Sequence, residues 1–274
     1  MSLVPSGSCK SITSALIIAH PGHELVCFGW LEAAQPTVFC LTSGGGSSKS
    51  GRRQRSIDLI EACGAKVGDH FAEFSDAEIY EAMLARDSTP FQSWATKILD
   101  HLLSSEGDID LRGDMLEGYS PTHDMCRHVI DCIAEIANVV PKHNHSLALE
   151  NSHPAAPIPG FKVSHYHKLN EDVVQRKLNA ARNYNELQGE VRERLQSILP
   201  AKLSREYFYL TSELPYVYLQ SGCQPFYEKY GNRRATEGKF DQVITFLDHI
   251  EPLASKLREA MSLQRRPIPV CALK

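Results

Sequence analysis

Short apolar runs alternate with amphipathic segments along the first part of the chain. Residues 15–19 (ALIIA) and 37–42 (TVFCLT) are runs of strand length without a polar face, as in strands that are covered on both sides. Residues 24–32 and 52–63, which follow these runs, carry apolar residues at helical spacing. The order strand, helix, strand, helix predicts a parallel sheet with right-handed crossover connections.

The later part of the chain contains more predicted helices than strands. Helical spacing of apolar residues predicts helices over 76–87, 90–105, 122–138, 169–184, 186–199 and 239–262. Strand-like segments lie at 108–115, 146–149 and 206–211. We therefore predict one domain over 1–274 with an α/β, Rossmann-like fold: a mostly parallel sheet with helices on both faces in a core at about 13–150, and helical and aromatic additions at about 160–274.

Composition narrows the class of protein. The 29 Lys and Arg residues stand against 33 Asp and Glu residues, so the net charge of -4 gives no reason to expect nucleic acid or an anionic membrane as a partner. No apolar stretch reaches the roughly 18 residues of a membrane span, and the N-terminal residues do not follow the pattern of a signal peptide. The 8 cysteines have no C-x-x-C spacing, which favours a cytoplasmic location.

Three of the 12 histidines follow predicted strands. His20 and His23 come directly after the first strand, in AHPGHE, and His123 follows the strand at 108–115, in EGYSPTHD. Ligands of open α/β sheets bind beyond the carboxyl ends of the strands. Three imidazoles with a fourth position left for water suit catalytic Zn²⁺ or another divalent transition metal, which activates that water and polarises a carbonyl. The alternative is that each is an ordinary hydrogen-bonded histidine.

The order and spacing of these motifs resemble the PIG-L/LmbE family of zinc-dependent N-deacetylases. The family has a buried strand before A-H-P-D-D-E, a second strand ending in Thr, and a later G-Y-H-P-D-H-like segment; here the chain reads ALIIAHPGHEL, VFCLTSGG and EGYSPTHD. The match covers residues 15–138, and RKLNAARNY at 176–184 is similar to a Lys/Arg-rich helix of the family. The resemblance implies that His20, His23 and His123 hold the metal and that the substrate is the amide of an acetamido sugar or glycoconjugate.

Two positions depart from the family pattern where protons are transferred. Gly22 replaces the aspartate that is the general base of the family, and Ser120 replaces a histidine that stabilises the tetrahedral intermediate. Glu24, Ser120 and Asp124 are therefore the candidate catalytic residues, with Asp124 expected to orient His123. Loss of a general base costs about 10²–10⁴ in rate, so slow hydrolysis remains compatible with the sequence.

Further polar and aromatic residues are candidates for contact with the substrate. Arg52 and Arg53 open a predicted helix at the place of a substrate-contacting family arginine, and Tyr119 lies in the EGYSPTHD segment. A guanidinium suits a phosphate or a hydroxyl-rich sugar. Asp114 and Glu117, near the end of the strand at 108–115, are further carboxylates that can approach the histidines.

Three function hypotheses remain open at this point. The first is a metal-dependent deacetylase or related amidase; the second is a degenerate family member that binds a sugar or a partner protein without hydrolysis, as Gly22 and Ser120 favour. A metal enzyme with altered chemistry is a third, weaker reading, since three histidines leave the metal more positive than two histidines and a carboxylate. The substitution Gly22→Asp is expected to separate the first two. The aromatic residues at 207–230 suit sugar stacking, a core or a dimer interface, so a homo-oligomer is possible.

Overall fold

The computed structural model describes residues 11–45, 52–105, 107–144, 163–184, 203–210 and 224–263. The strands are β1 (Ile12–Ile18), β2 (Thr37–Cys40), β3 (Lys66–Val67), β4 (Asp108–Asp114), β5 (Lys142–Asn144), β6 (Val163–Lys168) and β7 (Arg205–Leu210). The helices are α1 (Phe28–Ala34), α2 (Arg53–Ala62), α3 (Asp76–Ala85), α4 (Thr89–Leu103), α5 (Pro121–Ala137), α6 (Glu171–Asn183), α7 (Phe226–Thr236) and α8 (Glu251–Ser262). A 3-10 turn (His23–Cys27) precedes α1, and a π-helical turn (Phe246–Ile250) precedes α8. Within the described ranges, no helix has both the length and the apolar character that a membrane span requires.

The described strands form one seven-stranded sheet in the order β3-β2-β1-β4-β5-β7-β6. Strands β1 to β5 are parallel, with Ala15 of β1 opposite Thr37 of β2 on one side and Leu111 of β4 on the other. Strand β7 is antiparallel to both β5 and β6. The predicted α/β fold with a mostly parallel sheet is therefore confirmed. The carboxyl ends of β1 and β4 are adjacent, so the loops that carry the three histidines leave the sheet side by side.

Strand β1 contributes to a hydrophobic core on each face of the sheet. Ala15 and Ile17 pack in the core that includes α3, α4, α5 and α8. Leu16 and Ile18 pack in the opposite core with α1, α2 and α6. All four side chains are fully buried. Burial on both faces explains why this strand is a continuous apolar run in the sequence.

The structure differs from the sequence prediction in the C-terminal region. Strand β6 forms at 163–168, where the sequence analysis predicted no strand; its residues alternate between half-buried and exposed, and none is fully buried. The helix predicted over 239–262 is wrong in its first part, because residues 240–245 are not helical. Thr245 has an extended backbone, and its hydroxyl accepts the N–H of Asp248 at the start of the π-helical turn. Helix α7 is a further element that the sequence analysis did not predict. The predicted strand at 146–149 and helix at 186–199 lie outside the described residues.

A buried ion pair attaches the C-terminal region to helix α1. The carboxylate of Glu206, on β7, accepts the backbone N–H groups of Gly29 at 2.9 Å and Trp30 at 3.0 Å. Lys177, on α6, donates to the same carboxylate at 2.8 Å and to the carbonyl of Val26 at 3.0 Å. Both charged side chains are buried. The pair therefore fixes the segment that directly follows the first two histidines.

We expect Glu206→Ala to lower the free energy of unfolding by about 3–5 kcal/mol, because it leaves the Lys177 ammonium buried without its carboxylate. Urea denaturation followed by circular dichroism measures the change. Glu32→Ala is the matched control, since Glu32 also pairs with a cation of α6, Arg176, but at the surface. Equal losses for the two substitutions would contradict this account of the buried pair.

Candidate functional site

The structure brings His20, His23 and His123 together at the carboxyl ends of β1 and β4. Their ring centroids are 5.7 Å apart for His20 and His23, 5.0 Å for His20 and His123, and 4.5 Å for His23 and His123. All three side chains line one cavity with a volume of about 1060 Å³. We call these three residues the histidine triad.

A hydroxyl group fixes the ring of His20. Its Nδ1 lies 2.6 Å from the hydroxyl oxygen of Thr42, which follows β2, and 3.4 Å from a carboxylate oxygen of Asp76. The Thr42 hydroxyl donates its own hydrogen to the carbonyl of Ala19 at 3.2 Å. The oxygen of Thr42 is therefore the acceptor, and Nδ1 of His20 is the donor.

A carboxylate fixes the ring of His23. Nδ1 of His23 lies 2.8 Å from both carboxylate oxygens of Asp114, the last residue of β4. The same carboxylate accepts the backbone N–H of Ala19 at 2.7 Å. Asp114 thus holds the ring of His23 and joins the ends of β1 and β4.

The ring of His123 is held from the turn that precedes α5. Nδ1 of His123 donates to a carboxylate oxygen of Glu117, and both side chains are buried. The contacts of Asp124 are with the backbone: its carboxylate accepts the N–H groups of Glu117 and Gly118, each at 3.0 Å. Asp124 therefore orients His123 indirectly, by fixing the turn that carries Glu117. Burial raises the pKa of Asp124 to about 7.

The hydrogen bonds give the histidine triad the donor chemistry of a metal site. The Thr42 oxygen and the carboxylates of Asp114 and Glu117 act as acceptors, so each ring carries a hydrogen on Nδ1 and leaves Nε2 for a ligand. Three nitrogens about 2.0–2.1 Å from one tetrahedral metal require ring centres roughly 5 Å apart. The observed spacings of 4.5 to 5.7 Å agree with that requirement. The donor set and the spacing therefore fit a metal.

The nitrogen atoms of the histidine triad do not surround a common point in the structure. Among the described residues, no group of three or more His, Cys, Asp or Glu side chains forms a metal site as it stands. The hydrogen bonds to Nδ1 fix which nitrogen faces a ligand, but they leave each ring some rotation about its side-chain bonds. Metal binding at the histidine triad would therefore require the side chains to rotate.

The three rings differ in proton affinity. Burial lowers the pKa of His20 below 6.5, and Asp76 offsets this only in part. Burial also lowers the pKa of His123 well below 6.5, with His23 and His20 adding to the effect. For His23, burial acts in the same direction, but Asp114, together with the charges of Glu117 and Glu24, outweighs it and raises the pKa above 6.5. Two rings are therefore neutral, as metal ligands must be, and His23 would release a proton on binding.

The loop between His20 and His23 depends on a glycine and a buried carboxylate. Gly22 has φ 110°, in the region that side-chain-bearing residues rarely adopt. Its N–H donates to Glu24 at 2.7 Å, and the hydroxyl of Ser56 donates to the other oxygen of Glu24 at 2.7 Å. The backbone at Gly22 therefore disfavours aspartate, so Gly22→Asp would strain this loop rather than simply add a base.

Ser120 is placed at the N-terminus of α5, in the wall of the cavity. It is the N-cap residue of that helix, but its side chain does not cap the helix. Tyr80, on α3, also lines the cavity, and its side chain interacts with that of Ser120, which lowers the pKa of Tyr80 although burial raises it overall. Ser120 thus faces the cavity from the N-terminus of α5, next to the hydroxyl group of Tyr80.

The other candidate residues take different places. Arg52 and Tyr119 line the cavity, and the charge of Arg52 contributes to the lowered pKa of His123. Among the described residues, the cavity wall includes neither Arg53, whose Nε donates to the carbonyl of Phe71 at 3.4 Å, nor Glu24 nor Asp124. Glu24 and Asp124 act on the loops that carry the histidines.

Three site features were weakly signalled or missed in the sequence. Thr42 is the threonine that ends the second strand, so its position was part of the motif although its bond to His20 was not predicted. Asp114 was indicated only by its place at the end of β4. Tyr80 follows no motif and reaches the cavity through the packing of α3.

The fold is similar to those of solved deacetylases at low sequence identity. A triple mutant of the deacetylase in the teicoplanin biosynthetic pathway has a TM-score of 0.51 and 15% identity, with 72% of this chain and 97% of that chain covered. The zinc-inhibited form of teicoplanin deacetylase Orf2 has a TM-score of 0.51 and 12% identity, with 73% and 97% covered. The A40926 pseudoaglycone deacetylase Dbv21 has a TM-score of 0.50 and 15% identity, with 72% and 96% covered. No protein-family model and no curated protein sequence matches the chain. At these identities the likeness shows a shared fold.

We expect Glu24→Ala to lower the free energy of unfolding by about 2–3 kcal/mol, because it leaves the N–H of Gly22 and the hydroxyl of Ser56 buried without an acceptor. Glu24→Gln is the matched control. Burial raises the pKa of Glu24, so the neutral amide suits this environment and should retain most of the stability. Urea denaturation measures both variants. A loss in the Gln variant as large as in the Ala variant would show that the negative charge, rather than the hydrogen bonds, is required.

Proposed function

We propose that the protein is a divergent metal-dependent N-deacetylase, similar to the PIG-L/LmbE enzymes, that acts on an acetamido sugar or glycoconjugate. The observation that carries this proposal is the histidine triad, in which an oxygen acceptor holds Nδ1 of every ring. The resemblance of AHPGHE and EGYSPTHD to the family motifs supports the same conclusion.

His20, His23 and His123 would hold Zn²⁺ or another divalent transition metal through their Nε2 atoms. When bound, such a metal polarises an amide carbonyl and activates water. Asp114 and Glu117 keep the rings of His23 and His123 in one tautomer and orientation, as outer carboxylates do in many metal sites. Two carboxylates of the chain would therefore serve to orient the metal ligands.

The cavity wall offers groups for binding and orienting the substrate. The Ser120 hydroxyl would donate a hydrogen bond to the carbonyl oxygen as negative charge develops there, and Tyr80 would orient that hydroxyl. Arg52 and Tyr119 would contact the hydroxyl groups and the ring face of the sugar. These groups lie on α3 and directly before α5 and α2, and they line the same cavity as the histidine triad.

Among the described residues, the site lacks an evident general base for proton transfer. Gly22 offers no base, and the carboxylates of Glu24 and Asp124 accept buried backbone N–H groups. A missing general base typically costs about 10²–10⁴ in rate. We therefore expect slow hydrolysis.

Solved proteins with this fold support the proposed reaction class. One is a teicoplanin deacetylase in a zinc-inhibited form, and another is a deacetylase in complex with teicoplanin. The zinc inhibition and the bound teicoplanin are properties of those two proteins. For this chain they support the proposal of a deacetylase that interacts with a metal and accepts a substrate larger than a monosaccharide.

The backbone at Gly22 favours a second candidate function, a sugar-binding module without hydrolysis. A φ of 110° means that the loop is built around glycine, so the family aspartate does not simply fit back into this position. In this alternative the cavity binds the same sugar, but no acetate is released.

Metal binding tests the histidine triad. We expect protein purified without a polyhistidine tag to retain about one zinc ion per chain after equilibrium dialysis, because His20, His123 and, after it releases its proton, His23 would supply the three imidazoles of a catalytic zinc site. His23→Ala should weaken zinc binding at least about tenfold, whereas His101→Ala, which changes an exposed histidine on α4, should leave it unchanged. Failure to bind zinc, or equal binding by both variants, would overturn the metal site.

Acetate release tests the reaction. We expect slow, zinc-dependent release of acetate from N-acetylglucosamine derivatives, measured by an enzyme-coupled acetate assay, and its loss in His123→Ala. Ser120→Ala should lower kcat by roughly 10-fold or more, because it removes a donor to the developing oxyanion. Zinc-loaded protein that binds the sugar but releases no acetate would support the binding module instead.

A further inference from the structure

A continuous row of aromatic rings leads away from the histidine triad along the cavity wall. Tyr119 lies 6.5 Å from the ring of His123 and is nearly parallel to Phe226, with ring centroids 4.9 Å apart and an interplanar angle of 2°. Tyr230 follows at 6.2 Å from Phe226, and Phe240 at 6.3 Å from Tyr230. All of these residues line the cavity. We call Tyr119, Phe226, Tyr230 and Phe240 the aromatic row.

The rings of the aromatic row are more exposed than ordinary packing would leave them. Phe226 and Tyr230 are each 38% exposed and Phe240 is 40% exposed. Leu84 and Val243 add apolar surface to the same wall. A contiguous apolar surface of this kind, inside a cavity, marks a place where a ligand completes the packing.

The aromatic row is held in position before any ligand arrives. The backbone N–H of Phe226 donates to the carbonyl of Gly118 at 2.8 Å, which ties α7 to the turn before α5. Gly231 lets α7 approach the segment after it closely, since a Cβ there would lie 2.6 Å from a methyl carbon of Val243. A preorganised surface loses little conformational entropy on binding.

The size of the cavity gives room for a second group on the substrate. Its volume of about 1060 Å³ is slightly above the range of about 300–1,000 Å³ that is common for small-molecule sites. A single acetamido sugar at the histidine triad would leave much of it to the aromatic row.

We propose that the aromatic row is a subsite for an aromatic group attached to the acetamido sugar, so that the preferred substrate is an aryl-substituted glycoside or glycoconjugate. This inference rests on the proposed function and names its substrate class. Aromatic groups gain stacking energy on such rings beyond the burial of area. Arg233 lines the cavity with its guanidinium carbon 5.3 Å from the ring of Tyr230, and a guanidinium plane also favours an aromatic partner over an alkyl chain.

Calorimetry with two glycosides tests the subsite without requiring hydrolysis. We expect phenyl N-acetyl-β-glucosaminide to bind the zinc-loaded protein about tenfold more tightly than methyl N-acetyl-β-glucosaminide, which corresponds to one aromatic stacking interaction. Phe226→Ala should abolish this preference. Phe226→Leu should reduce it strongly, and it serves as a second variant because it keeps an apolar side chain that preserves the packing of α7. Tyr166→Ala, which removes an aromatic residue of β6 that is 50% exposed, should leave it unchanged.

The outcomes separate this inference from the proposed function. Equal binding of the two glycosides, no binding of the phenyl glycoside, or a preference that survives both Phe226 variants would overturn the aromatic subsite. A hexyl glycoside that binds as tightly as the phenyl glycoside would overturn the assignment of an aromatic group in favour of an alkyl chain. Intact aryl preference without acetate release would overturn the hydrolysis and support the subsite.

Discussion

The arrangement of the site depends on the carboxylate of Asp114. It accepts the backbone N–H of Ala19 at 2.7 Å and binds Nδ1 of His23 at 2.8 Å, so one side chain joins the ends of β1 and β4 and sets a histidine between them. Burial alone would raise the pKa of Asp114, but His23 outweighs it and lowers the pKa, which keeps the carboxylate ionised. The parallel pairing of β1 with β4 brings these groups together; in other strand orders they would be far apart.

The four buried acidic side chains near the histidine triad all have structural contacts. Asp114 and Glu117 hold imidazole rings, while Glu24 and Asp124 hold the loops that carry them. In the proposed function these bonds would orient the metal ligands, but they occupy the carboxylates that proton transfer would need. Gly22 has a backbone conformation that favours glycine, so the proposed site would bind a metal and a substrate but turn over slowly.

The sequence predicted the parts of this structure that local pattern determines. The apolar run at 15–19 predicted the buried part of β1, which starts three residues earlier at Ile12, where the side chains are not buried. The helical spacing predicted α5 to within one residue at each end, because one face of this helix is covered by a core. The roles of Thr42 and Tyr80 depend on strand register and on the packing of α3, which no local pattern records. The aromatic row needs α7, a helix whose many aromatic and polar residues hid its periodicity. A single domain, a cytoplasmic location, no nucleic-acid partner and a possible homo-oligomer remain predictions.

The most direct test of the account is a crystal structure of the zinc-loaded protein with anomalous diffraction recorded at the zinc edge. The account predicts one zinc ion bonded to Nε2 of His20, His23 and His123, with Thr42, Asp114 and Glu117 still bound to the Nδ1 atoms. A zinc ion elsewhere, or one bonded through Nδ1 after the rings have turned over, would contradict the claim that these hydrogen bonds prepare the histidine triad for a metal.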